Sequence, residues 1–357
     1  MIRGFYVMNH KTFLNKKQFC LLIAAGAASA LLTGCSGSSG ADPEASPEES
    51  AIVDYTCFSN PESQKKIYVI LKNYHGDYWK KVIAGISDAA EEIDAAIYLG
   101  GIDNETDIDG QISLMEQAVK QNADGILLAP ANSFSLVDSC HAVKEQQIPL
   151  VLIDSSINSD DYSRCYMTNN MSAGETAAQE MLSLLQDAGN SATDHLEVGI
   201  MLSSDTSQAM VNRISGFLDY WSNYAPQQWN IAEDIYLNGG DISKAQSDAS
   251  RLLKKHEDLK GIFGCSNTST TGIVNVLTEQ ERTDVVMVGF DLADETRQFI
   301  QNPDFYGASL MQKQDEMGYQ GILSLNDLID GIESGQKYFD TGIILIDENY
   351  LMENSVS

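Results

Sequence analysis

Several apolar runs in this 357-residue chain stop at side chains that hydrogen-bond. Lys72-Asn73 follows KIYVIL, Asp154-Ser155 closes PLVLID, and Ser203-Ser204 follows LEVGIML. Ser266-Asn267 follows GIFGC, Asp291 closes VVMVGFD, and Gln312 closes YGASLMQ. Tyr78 and Trp79 lie a few residues past Lys72. Carboxylates and amides can engage hydroxyl groups two at a time, and an aromatic face can cover apolar C–H groups; together they suit a polyol. Lys72 could meet a carboxylate or phosphate of a ligand, or simply neutralise Asp154. Asp154 and Asp291 could instead be the acid and base of a surface glycosidase, which needs two carboxylates about 5–10 Å apart. Nothing else supports catalysis. The histidines are scattered, and no G-x-S-x-G, P-loop or G-x-G-x-x-G is present.

The elements that must position these groups are legible in the periodicity. Strand-length apolar runs alternate with amphipathic stretches. DYWKKVIAGISDAAEEI places Trp79, Ile83, Ile86, Ala90 and Ile93 at helical spacing, and DIDGQISLMEQAVKQ does the same with Ile108, Ile112, Met115 and Val119. Such alternation predicts an α/β fold with parallel sheets covered on both faces. A body of about 290 residues is too large for one small core, so two lobes are expected. In open α/β sheets, ligands bind beyond the carboxyl ends of strands, where the polar residues above lie.

Glu105-x-Asp107-x-Asp109-Gly110-x5-Glu116 is close to a calcium-loop pattern. The helical period running through it argues against that, because a continuous helix cannot wrap its side chains round an ion. Acidic residues at a helix start also complement the helix dipole. No metal or cofactor is expected.

The amino-terminal segment reads as an export signal. Arg3, Lys11, Lys16 and Lys17 precede an uninterrupted apolar and small-residue run, Phe19 to Leu32, and no acidic residue occurs before position 42. That run is shorter than the roughly 20 residues of a membrane span and matches a signal core. It ends Leu32-Thr33-Gly34-Cys35, which resembles the lipobox of bacterial lipoproteins. Residues 1–34 are therefore expected to be a lipoprotein signal peptide, with Met1 or Met8 as its start. Cys35 is expected to carry a lipid, and 35–64 to be a flexible linker rich in Gly, Ser, Pro and Glu. The expected location is extracytoplasmic, on the outer face of the cell membrane.

The whole chain carries a formal charge of -29. Such an acidic body repels phosphates and excludes nucleic acid as a partner. Past the lipobox remain Cys57, Cys140, Cys165 and Cys265, without a CxxC pair or zinc spacing. The last three are expected to be buried free thiols.

The order of DYWKKVIAG, DGILLAP, IPLVLID, NRISGF, GIFGCSNTSTTG, VVMVGFD, SLMQKQDEMGYQG and DTGIILID resembles the type I periplasmic sugar-binding proteins, the ribose- and galactose-binding group, over about 65–350. The resemblance implies two Rossmann-like lobes with parallel-sheet cores joined by a three-segment hinge. Its lobes would be 65–168 plus 313–340, and 169–312 plus 341–357. It implies a monomer that captures a sugar or polyol and delivers it to the permease of an ABC importer. A sensor for a membrane receptor kinase is the alternative. The implied ligand contacts are Lys72, Tyr78, Trp79, Asp154, Arg213, Asn267, Asp291 and Gln312, with Arg213 donating in a fork. Three departures separate this chain from ribose binders. Ser155 stands where an arginine is usual, Ser266-Asn267 carries no charge, and Lys72 replaces a small polar residue.

Overall fold

The structure, a computed structural model, describes residues 55–73, 76–333 and 335–354. The expected signal peptide, Cys35 and most of the expected linker lie outside these residues, as does His75.

Two mostly parallel sheets form the framework. The first has the order β1-β3-β2-β4-β5-β6-β12, from Thr56–Ser59 (β1), Ala96–Gly101 (β3), Lys66–Leu71 (β2), Gly125–Leu128 (β4), Leu150–Ile153 (β5), Arg164–Met167 (β6) and Tyr338–Asp340 (β12). The second has the order β13-β11-β10-β9-β7-β8, from Ile343–Ile346 (β13), Gly307–Gln312 (β11), Val286–Phe290 (β10), Leu259–Gly264 (β9), Leu196–Leu202 (β7) and Trp229–Leu237 (β8). Among the described residues, only the edge pairs β1–β3 and β11–β13 are antiparallel. β4, β5, β6 and β10 are buried along their whole length, as expected where helices cover both faces.

The chain passes between the sheets three times. From β6 it enters the helix Asn170–Asp187, which packs on Gln208–Tyr224 beside the second sheet. From β11 it enters Gln314–Ile329, which packs on Gly76–Glu92 and on β4 and β5. From β12 it enters β13. The first and third passages are tied together. Asp340 accepts from the backbone N–H of Asn169 at 2.9 Å and of Gly342 at 2.8 Å, and Thr341 N–H donates to Met167 O at 3.1 Å.

Both helix pairs are locked by reciprocal glycines. A Cβ on Gly85 would lie 1.9 Å from Asp315 O, and one on Gly318 would lie 2.3 Å from Val82 O. A Cβ on Gly174 would lie 2.0 Å from Arg213 O, and one on Gly216 would lie 2.0 Å from Met171 O. This close approach turns the Gly76–Glu92 helix so that Val82, Ile86 and Ala89 are fully buried, while Ile83 and Ile93 are only partly covered.

The described part of the expected linker carries structure. Thr56–Ser59 is an edge strand, and Tyr55 packs edge-on against Tyr68 at 4.8 Å, with its hydroxyl donating to Leu114 O at 2.8 Å. These rings bury enough surface to hold a segment whose composition alone suggests a tether. The acidic run at 105–116 does start a helix. Asp107 caps Ile108–Lys120 by accepting from Gly110 N at 3.0 Å. Among the described residues no group of acidic, histidine or cysteine side chains is arranged to hold a metal ion. No helix among them is long and apolar enough to cross a membrane. Cys57, Cys140, Cys165 and Cys265 are free, and burial pushes the thiols of Cys140 and Cys165 up to about 12, so they stay protonated.

Candidate functional site

The strand ends of the first sheet build one wall. Lys72 follows β2, and Asp154 follows β5 in the left-handed conformation, φ +65°. Both are nearly sealed from solvent, at 4 % and 7 % exposure. Lys72 Nζ lies 2.7 Å from Asp154 Oδ2. The Tyr78 hydroxyl donates to Asp154 Oδ1 at 2.6 Å. Burial, reinforced by the Asp154 charge, lifts the Tyr78 phenol well above its ordinary range, so it remains a donor. Burial alone would lower the Lys72 pKa, but the Asp154 and Glu105 carboxylates outweigh it and hold the ammonium charged. Tyr78 and Trp79 meet edge to face at 4.9 Å, and Lys72 Nζ lies 6.0 Å from the Trp79 ring centre. Tyr78 therefore has a polar task, positioning a carboxylate, that a reading of it as a stacking ring omits.

The second wall comes from the other sheet. Arg213, on the helix Gln208–Tyr224, is 1 % exposed and sits over Phe290, with the guanidinium carbon 3.5 Å from the ring centre. Its Nε and Nη2 donate to Asn170 Oδ1 at 3.1 and 2.6 Å, Nη2 also donates to Gln312 Oε1 at 3.1 Å, and Nη1 donates to Cys265 O. Asp291 follows β10, again at φ +65°. Its carboxylate accepts from Gln314 Nε2 at 2.6 Å, from Gln312 Nε2 at 3.2 Å and from Gln312 N at 3.3 Å. Burial pushes its pKa up to about 6, against the opposing pull of Arg213. Asn267 opens the helix Asn267–Glu279, whose cap Ser266 accepts from Ser269 N at 3.3 Å.

All eight expected residues, Lys72, Tyr78, Trp79, Asp154, Arg213, Asn267, Asp291 and Gln312, line one cavity of about 150 Å³. Drug-sized ligands occupy about 300–1,000 Å³, so this space suits something much smaller. Glu105, Gly240 and Ile242 also line it and are absent from the sequence-based set. Glu105 and Gly240 sit in loops several residues beyond β3 and β8, and Ile242 opens the helix Ile242–Lys255, all places where strand periodicity gives no register. Ser203, a recognised strand-end residue, lines it too.

The two lobes touch at the rim. A Cβ on Gly240, at φ +80°, would lie 3.6 Å from Glu105 Cγ. Elsewhere Ser133 Oγ accepts from Gln208 N at 2.9 Å, and Ser155 Oγ accepts from Ala209 N at 3.3 Å. Serines of the first lobe thus satisfy the first N–H groups of the second lobe's Arg213 helix, whose own cap residue, Ser207, makes no such bond. A larger cavity of about 280 Å³ lies where the chain crosses between sheets, bounded by Thr168, Asn169, Asn170 and Tyr338 among others. Its lining carries no carboxylate and no cation, and the convergent donors and acceptors lie in the smaller space.

Chemically, the smaller cavity offers donors and acceptors held in place by other protein groups. Asp154 is engaged by a cation and a phenol, and Asp291 by amides. Among the described residues, neither adjoins a nucleophile prepared for attack. The arrangement is suited to binding and orienting a small polar molecule.

Residues 67–333 match the model of the periplasmic binding protein domain family. A D-apiose import binding protein of Actinobacillus succinogenes is 24% identical over 290 residues, covering 80% of this chain and 86% of that protein. The D-allose-binding periplasmic protein of Escherichia coli is 24% identical over 281 residues, covering 75% and 85%. The solved ABC transporter solute binding protein of Agrobacterium vitis with bound D-fucose superposes with a TM-score of 0.75 at 26% identity, covering 81% of this chain and 98% of that one.

Proposed function

The chain belongs to the periplasmic binding protein domain family, a family of binding proteins rather than enzymes, and from that premise we propose that it captures a monosaccharide or polyol for an ABC importer. One observation carries this reading: polar and aromatic side chains from both sheets converge on a cavity sized for a small molecule. Lys72, Tyr78, Trp79 and Asp154 contact the ligand from one lobe. Arg213, Asn267, Asp291 and Gln312 contact it from the other. The names of the relatives, which refer to D-apiose and D-allose, and the D-fucose in the solved neighbour support a sugar.

The lobes are residues 65–168 plus 313–340, and 169–312 plus 341–357, joined by the three passages described above. A ligand that touches both lobes favours the closed arrangement, so binding and hinge closure are coupled. The closed form is what a permease would receive. The lipid on Cys35 keeps the domain at the outer face of the membrane, and the segment after it is the tether. Mass measurement of the membrane-extracted protein tests the anchor: a diacylglyceryl mass on Cys35, lost in Cys35→Ser, supports it, and an unmodified thiol refutes it.

Thermal unfolding of residues 36–357 against pentoses, hexoses, inositols, sugar acids and amino acids tests the ligand class. A ligand that binds only the folded state raises stability by about 2.7 kcal/mol at 100-fold excess over Kd. A shift of several degrees with one sugar class and no product formed is the expected result. No shift with any sugar would overturn the sugar assignment and favour a sensor for a different ligand.

A further inference from the structure

We propose that Glu105 is a specificity-determining residue that makes the cavity accept neutral and amine-bearing sugars and reject acidic ones. The inference rests on the sugar-capture reading and adds to it the charge class of the ligand.

The argument begins with the charges around the cavity. Asp77, Glu105, Asp154 and Asp291 line it, against Lys72 and Arg213, so four carboxylates face two cations. Each cation already answers a carboxylate, Lys72 that of Asp154 and Arg213 that of Asp291. Lys72 stands 2.7 Å from Asp154, and Arg213 donates to Asn170, Gln312 and the Cys265 carbonyl. The carboxylates differ in the same respect. Asp154 has Lys72 and Tyr78, Asp291 has three amide N–H groups, and Asp77 pairs with Lys80 at 2.9 Å on the surface. No ion pair holds Glu105 among the described residues; the Ser203 hydroxyl hydrogen-bonds to it. Burial raises its pKa, an effect the nearby Lys72 opposes.

Position makes this carboxylate selective. Glu105 lies on the loop after β3 and meets Gly240 of the other lobe at the rim. Closure therefore brings it over whatever fills the cavity. A carboxylate or phosphate on the ligand would face Glu105 across a small space, with each lining cation already answering a protein carboxylate. Like charges so placed are costly. A hydroxyl or an ammonium group would instead donate to Glu105, and an ammonium would add a positive charge to a lining with four carboxylates and two cations. The choice of partner for Lys72 narrows accordingly, because its ammonium already pairs with Asp154 at 2.7 Å.

The test uses three series of probes titrated calorimetrically into the full chain: D-glucose, D-glucosamine and D-glucuronate; D-galactose, D-galactosamine and D-galacturonate; D-ribose and D-ribonate. In whichever series binds, the acid should bind at least tenfold more weakly than the neutral sugar, and in the two hexose series the amine at least as tightly. Glu105→Gln should narrow the neutral-to-acid ratio at least tenfold and abolish any preference for the amine, whereas Glu105→Asp should keep the discrimination. An acid that binds as well as its neutral parent, or a ratio unchanged in a folded Glu105→Gln variant, overturns the inference while leaving sugar capture intact. Failure of every series to bind overturns the sugar reading and this inference with it.

Discussion

Asp154 and Asp291 occupy matching places in the two lobes. Each is the first residue past a buried parallel strand, each has φ +65°, and each donates its backbone N–H to the neighbouring strand, to Tyr166 O at 3.1 Å and to Leu310 O at 3.0 Å. Aspartate tolerates this left-handed geometry better than most residues. The turn aims both carboxylates into the same cavity from opposite sides. Their surroundings then diverge, a cation and a phenol for one and amides for the other.

That divergence predicts a pH dependence. Asp291 has its pKa raised from 3.8 to about 6. A ligand hydroxyl prefers the carboxylate, so affinity should fall as pH drops through about 6, approaching tenfold per unit. The unliganded protein should behave oppositely. A raised carboxyl pKa means that the folded state holds its proton where the unfolded state has lost it, so stability should decline between about pH 4 and 6, by on the order of 3 kcal/mol from this group. Titration calorimetry and urea unfolding across that range, with Asp291→Asn as the control, check both slopes.

Lys72→Met should remove one partner of a buried ion pair and leave Asp154 unneutralised, costing about 3–5 kcal/mol. Adding Asp154→Asn should recover part of that loss, because no lone charge then remains. Equilibrium denaturation of the single and double variants measures it. A single variant within about 1 kcal/mol of the parent would show that the pair has little structural weight.

Ser133→Ala deletes a cap that one lobe supplies to the other. A helix cap contributes about 0.5–2 kcal/mol. Here it is available only with the lobes together, so the loss should appear as a Kd increase of about 2- to 30-fold with faster release. The unfolding midpoint of the ligand-free protein should hardly move. Stopped-flow release kinetics beside a melting curve separate the two effects.

Gly216→Ala should place a methyl group 2.0 Å from Met171 O and force the Arg213 helix outward. Overpacking of this kind costs about 1–3 kcal/mol. Because the displaced helix carries Arg213, affinity should fall together with stability. Calorimetric melting paired with ligand titration reads both.

The framework and most of the site could be read from the chain because they rest on local patterns. Buried parallel strands are continuous apolar runs, and ligand groups stand at their carboxyl ends, so Lys72, Asp154, Asp291 and Gln312 follow directly. Glu105 and Gly240 escape that logic because loop length is not periodic. Thr56–Ser59 escapes it because its stability comes from Tyr68, Tyr98 and Leu114, remote in sequence. The task of Tyr78 is hidden for a different reason: residue type alone does not say whether a tyrosine uses its face or its hydroxyl.

The reciprocal glycines have a mechanical consequence. The helices Asn170–Asp187 and Gln314–Ile329 begin immediately after the first two passages between sheets, and in both the partner helix's glycine abuts the second residue, Met171 or Asp315. Torque delivered through either passage therefore meets a stiff seat within one turn and has little helix to bend. Compliance is left to a few residues near 168–169, 313 and 341–342. A molecule built this way should move by rotation about a narrow axis, and any exchange between open and closed forms should follow a single relaxation rather than a spread of graded ones.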